Sequence, residues 1–171
     1  MKPAARMVSR IGVLSGASVG IGFLLSTIPN VEGMSAVAFV SGYLLGCLGG
    51  IAVGAIGILI FSILNPLGPP LPHVLAAQVA GMSFFGIFGG IWKSLSNKPY
   101  IAITSAGLIG GVLTALYSIL TDFAFALSIG KSRDPLPVIL AGTPFSALHI
   151  LSNVAIFIGV ASFLMRRKMK S

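Results

Sequence analysis

The sequence predicts an all-α membrane protein: a six-transmembrane-helix bundle with N- and C-termini cytoplasmic and short second and third spans. Three observations predict it. Of 171 residues, 56% are hydrophobic and only 8% charged, with a mean hydropathy of +1.02, whereas a soluble domain carries about 25% charged residues to wet its surface. The apolar residues fall in long runs separated by Pro, Asn and charge. The basic residues are spread unevenly among those breaks. This composition excludes a cytosolic enzyme, a nucleic-acid-binding domain and a disordered chain. A single Cys excludes a disulfide framework and a Cys-based zinc site.

A span needs about 20 apolar residues to cross roughly 30 Å of hydrocarbon. The first, at 11–28, follows basic residues and could be mistaken for a signal peptide. Cleavage after Ala36-Val37-Ala38 would bisect the next apolar run, so it reads as a retained span. The run 35–64 would be about 45 Å long as one helix. It is therefore divided into spans at 35–47 and 50–64, turning near Cys47-Leu48-Gly49-Gly50, although Gly42, Gly46, Gly50 and Gly54 keep i+4 spacing through that turn. A re-entrant hairpin here would have the same parity. After Asn65-Pro66-Leu67-Gly68-Pro69-Pro70-Leu71-Pro72 come spans at 73–92, 100–127 and 138–164. Trp92 and Tyr100 flank the loop between the fourth and fifth spans and read as interface anchors.

Charge decides the span count. With six spans and the N-terminus inside, Lys2, Arg6, Arg10, Lys93, Lys98, Arg166, Arg167, Lys168 and Lys170 face the cytoplasm, and only Lys131 and Arg133 lie outside. Five spans would put five cations inside and six outside, against the positive-inside rule. Glu32, Asp122 and Asp134 then fall in outer loops or the outer half of a span. The net charge of +8 is thus an orientation toward an anionic inner leaflet and no sign of a nucleic-acid partner.

Catalytic and metal chemistry find no constellation, and no cofactor is expected. Gly130-Lys131-Ser132 resembles the end of a phosphate-binding loop, but Phe125 stands where that loop requires glycine. His73 and His149 have no carboxylate at ligand spacing. Ser146 and His149 share a helix face without a nucleophile elbow or oxyanion-hole sequence. The expectation is a protein that is not an enzyme.

Polar residues inside spans are costly and point to function. Ser146, His149 and Asn153 form one stripe on the last span, begun by Thr143 one turn earlier. Thr114, Ser118 and Asp122 form another on the fifth, with Asp122 about 8 Å deep. Gln78 lies five residues into the fourth span. All are in or near the outer half, which suits a pocket open to the outside. The competing reading is that Ser and Thr bond their own helix carbonyls and His149 a neighbour. Gly12, Gly16 and Gly20 line one face of the first span, flanked by Ser15 and Ser18. Such a face packs within the chain or docks a separate membrane subunit.

The order of these features resembles a known family. The Gly-rich first span is followed by Ile28-Pro29-Asn30-Val31, then Gly42-Tyr43-Leu44-Leu45-Gly46 and a Gly-rich turn. Next come Asn65-Pro66-Leu67-Gly68-Pro69-Pro70, Ala77-Gln78, Gly86-Ile87-Phe88-Gly89-Gly90, and Pro144-Phe145 with His149 and Ser152-Asn153. Over about residues 10 to 165 this is similar to the substrate-binding S component of energy-coupling factor transporters, the vitamin-uptake class of ABC transporter. The resemblance implies a prokaryotic cell-membrane protein that captures a vitamin or related micronutrient between spans four to six and the first outer loop. Asn30 thereby joins Gln78, Asp122, Ser146, His149 and Asn153 as a substrate-binding residue. It implies docking on a transmembrane T subunit, with two cytoplasmic ATPases driving release. The family's Ala-x-x-x-Ala docking pattern corresponds here to Gly12, Gly16 and Gly20, which are glycines instead. Two rival readings are a non-transporting scaffold of the cell-shape protein type and a self-sufficient small-molecule transporter.

Overall fold

Proline and glycine set where the helices begin and break. The computed structural model describes residues 3–66, 68–95, 98–130 and 134–169. Lys2, Lys131, Arg133 and Lys170 of the charge count, and Lys131-Ser132 of the loop-like motif, lie outside the described residues. Six helices follow one another: α1 (Pro3–Leu25), α2 (Met34–Leu45), α3 (Cys47–Ile63), α4 (Pro72–Leu95), α5 (Pro99–Ser128) and α6 (Leu136–Lys168). Pro72 and Pro99 open α4 and α5, and Pro137 lies in the first turn of α6, where a missing N–H goes unmissed.

Helices α1, α4, α5 and α6 are long and apolar enough to cross a membrane. Helices α2 and α3, with 12 and 17 residues, are about 18 and 25 Å long. The surface is as apolar as the composition requires: Leu24, Leu108 and Leu151 expose 75%, 66% and 68% of their area. Water would penalise such a surface and lipid does not. The protein is a multi-pass membrane protein built as an all-α bundle.

The division of 35–64 into two helices holds, but the turn is tighter than the sequence indicates. A single residue, Gly46, at φ 82° separates α2 from α3, a conformation that favours glycine. Gly42 then lies opposite Gly50, and Ala38 opposite Gly54, an antiparallel register centred on Gly46. The i+4 glycines are explained by what they face. A Cβ on Gly50 would sit 2.5 Å from the Gly86 carbonyl oxygen of α4, and one on Gly42 or Gly86 would strike backbone outright. Close backbone approach is what small residues permit between membrane helices.

Helix α4 therefore lies at the centre, between the α2–α3 hairpin and α5. Helix α1 packs on α3 and α2, and α6 packs on α5 and touches α2. The core joins Phe39, Phe85, Trp92 and Phe157, with Phe39 centroids 5.2 Å from Trp92 and 5.0 Å from Phe157. Trp92 is a correction to the sequence reading. It is fully buried, and its Nε1 donates to the Ala102 carbonyl and Ser105 Oγ at 3.1 Å each. Because α4 continues to Leu95, Trp92 is a core residue; Tyr100, 80% exposed, keeps a surface position.

Candidate functional site: a polar cavity under the first loop

Helix α1 ends at Leu25, and the chain turns through Ile28-Pro29-Asn30 before entering α2. Asn30 takes φ 58°, a left-handed conformation that Asn tolerates better than most residues. Its carbonyl accepts a 2.8 Å hydrogen bond from Ser152 Oγ on α6, whose hydroxyl also reaches the His149 carbonyl at 2.9 Å. Two residues on, Glu32 turns its carboxylate back into the bundle. Oε2 accepts the Met34 and Ser35 backbone N–H groups at 2.7 and 3.1 Å, so the charge sits at the positive end of α2. Oε1 accepts Asn153 Nδ2 at 3.3 Å and lies 3.7 Å from His149 Nε2. The first loop is clasped to α6 at two points.

Asn153 is the buried hub of this cluster, with no exposed surface. Its Nδ2 donates to Thr114 Oγ1 on α5 at 2.8 Å and lies 3.3 Å from His149 Nε2. The Thr114 hydroxyl gives its own proton to the Gly110 carbonyl at 2.7 Å, so it needs a donor from Asn153. Glu32 needs the same. These demands orient the amide with nitrogen toward both, and they leave Asn153 Oδ1 buried without a partner. Burial pushes the Glu32 carboxyl up, but the neighbouring His149 and the hydrogen bond from Ser35 outweigh it and hold the group below its ordinary range.

Glu32, Asn30, Gln78, Tyr117 and His149 line a cavity of about 460 Å³ that also draws on Gly22 and Phe23 of α1 and Ile58 and Phe61 of α3. Small-molecule sites occupy roughly 300–1,000 Å³. The Gln78 amide oxygen accepts from Ser62 Oγ at 3.1 Å, which leaves its NH2 donors as the chemistry it can offer. Tyr117 meets His149 edge-on at 6.2 Å between ring centroids. Its ring also lines a separate groove of about 500 Å³ between α4 and α5. That groove is walled by Phe84, Phe88, Leu108, Val112 and Leu116, all partly open to the surface. It is a lipid-facing crevice with almost no polar chemistry.

The structure brings together part of the sequence-predicted set. Asn30, Gln78 and His149 line the cavity, and Asn153 backs it from within. Asp122 and Ser146 do not line it. The Asp122 carboxylate points at Gly142 of α6, where a Cβ would lie 2.7 Å from its Oδ2. Thr143 is exposed and bonds its own helix carbonyl at Ile139. Sequence reasoning missed Glu32 and Tyr117. Glu32 had one local signal, an acid just ahead of a helix start; Tyr117 had none. Among the described residues, no group of three or more His, Cys, Asp or Glu side chains is placed to hold a metal.

The glycine face of α1 has a definite placement. Ser15, Ser18 and Gly22 are the residues α1 buries, with Ser18 Oγ against Gly57 of α3 and Gly22 against Met34 and Phe61. Gly12, Gly16 and Gly20 are exposed, and a Cβ on any of them would meet nothing within 4 Å. Packing within the chain does not occupy that face.

No family model matches the chain, and neither a curated protein nor a solved structure matches it.

Proposed function

We propose that this protein is a substrate-capture subunit, an S component of the energy-coupling factor type, resident in a prokaryotic cell membrane. It binds a vitamin or related micronutrient from outside and delivers it with a transmembrane T subunit and two cytoplasmic ATPases. The observation that carries this reading is the cavity beneath the α1–α2 loop. It holds amide, carboxylate, imidazole and phenol groups at one end of an otherwise apolar bundle, and polar groups at that depth need a reason to be there.

Two further features support the reading. Some of the motifs that resemble the family lie at this site: Asn30 in the first loop, Gln78 on α4, and His149 with Ser152-Asn153 on α6. The open face of Gly12, Gly16 and Gly20 suits a subunit that associates with a partner helix and leaves it again. The protein has no catalytic step of its own in this scheme, and hydrolysis belongs to the ATPases.

Uptake in cells tests it. Host cells lacking T subunits and their ATPases should accumulate no micronutrient on expressing this chain alone, and should do so on co-expression with both. Uptake by the chain alone would favour a self-sufficient transporter. A chain that binds no small molecule and joins no T subunit would favour a scaffold.

A further inference from the structure

Resting on the reading of the cavity as the capture site, we propose that its ligand is an organic cation: a small ring compound carrying a positively charged nitrogen.

Charge carries the first step. Among the described lining residues, Glu32 is the one carboxylate, and no Lys or Arg is present. The contacts that hold Glu32 in place are peptide N–H groups and an amide. Such dipoles solvate an anion without neutralising it. His149, at 3.7 Å, balances the charge only if protonated. In a bundle surrounded by lipid, where electrostatic interactions are weakly screened, a cationic ligand supplies what the cavity lacks. An anionic ligand would face Glu32 with no Lys or Arg in the described lining to offset it.

Aromatic geometry carries the second step. Phe23 and Phe61 both line the cavity, with ring centroids 4.9 Å apart and planes tilted by 48°. Tyr117 lines it as well. Ring faces attract cations, and aromatic cages are a recurrent way to recognise alkylated nitrogen. Met34 and Met82 complete the apolar wall with polarizable sulfur. The amides of Asn30 and Gln78 remain for polar substituents on the ring. A carboxylate and three aromatic rings in one lining match a flat, charged heterocycle better than a sugar or a dicarboxylate.

The test measures thermal stability of the purified protein in lipid nanodiscs. Three size-matched sets of probes are built on pyridine, quinoline and benzimidazole: N-methylated cations, uncharged parents and ring carboxylates. Cationic members should raise the melting temperature of the wild type, and Glu32→Gln should weaken their half-maximal effect at least about tenfold. Phe61→Leu, which leaves the Glu32 clasp intact, should also weaken the cations, and it carries the test if Glu32→Gln does not fold. Stabilisation by uncharged or carboxylate members equal to or above that of the cations overturns the cation inference but leaves the capture reading standing. So does a cation effect that survives Glu32→Gln unchanged. Absence of any shift across all three sets overturns the cation inference and the capture reading together.

Discussion

Asn153 on α6 donates a 3.3 Å hydrogen bond to Glu32 on the first loop, 121 positions earlier in the chain. The same amide nitrogen holds Thr114 on α5 at 2.8 Å. One buried side chain thus ties a loop and two helices together beside the cavity. Replacing it by Leu removes a donor from two acceptors. Leaving a buried polar group unsatisfied costs about 1–3 kcal/mol. Asn153→Leu should lower the melting temperature in detergent by several degrees and loosen the first loop. Asn153→Asp should be worse, because it sets a second carboxylate against Glu32. A melting temperature unchanged in both variants would remove Asn153 from this role.

The two sets of glycines should respond oppositely to enlargement. Gly86 meets the backbone of Gly50, so Gly86→Leu forces α4 away from the hairpin. Overpacking of this kind costs about 1–3 kcal/mol or more. A Cβ on Gly16 meets nothing within 4 Å, so Gly16→Leu on this open face should leave the isolated protein's unfolding temperature unchanged. Under the proposed function, it should reduce co-purification with a T subunit. Equal stability losses at the two positions would contradict the placement of α1.

Trp92 and Tyr100 separate in the same manner. Trp92→Ala opens a cavity in the aromatic core and removes the donor to Ala102 and Ser105, a change worth about 3–5 kcal/mol. Tyr100→Ala at the exposed start of α5 should fall within about 0.5 kcal/mol of the wild type. Chemical unfolding in mixed micelles measures both.

Much of the fold is legible in the sequence, because breaks between membrane helices are written in Pro, Gly and charge. The helix starts at Pro72 and Pro99 fall within a residue of the predicted spans. The turn at Gly46 is displaced because the run Gly46-Cys47-Leu48-Gly49-Gly50 offers several glycines, and only packing against α4 selects one. The site is legible where it lies on helices: His149 and Asn153 emerge from their spacing. Glu32 does not, since its role depends on a loop folding back onto a helix more than a hundred residues away. Asp122 stands out in the sequence as a charged member of the polar stripe on the fifth span, yet its carboxylate lies against Gly142 of α6 and does not line the cavity. Trp92 reads as an anchor only if its span ends at 92, three residues before α4 ends at Leu95.

Acid should act through Glu32. Its folded-state value lies below the ordinary 4.5, so its ionised form stabilises the folded protein above that pH. The contribution is lost as the pH falls below about 4.5 and through the depressed value. The difference in melting temperature between wild type and Glu32→Gln should therefore shrink as the pH falls below about 4.5. A difference that keeps growing as the pH falls below about 4.5 would reverse the sign and contradict the clasp as described.

Native mass spectrometry of the protein extracted gently from its own membranes tests the central claim most directly. The account predicts a population carrying one small-molecule adduct of micronutrient size. The adduct should be lost in Glu32→Gln and retained in Asp122→Asn, because Asp122 does not line the cavity. An adduct that disappears with Asp122→Asn and survives Glu32→Gln would contradict the site. A protein that carries no adduct from any growth medium, supplemented with micronutrients or not, would contradict the capture function itself.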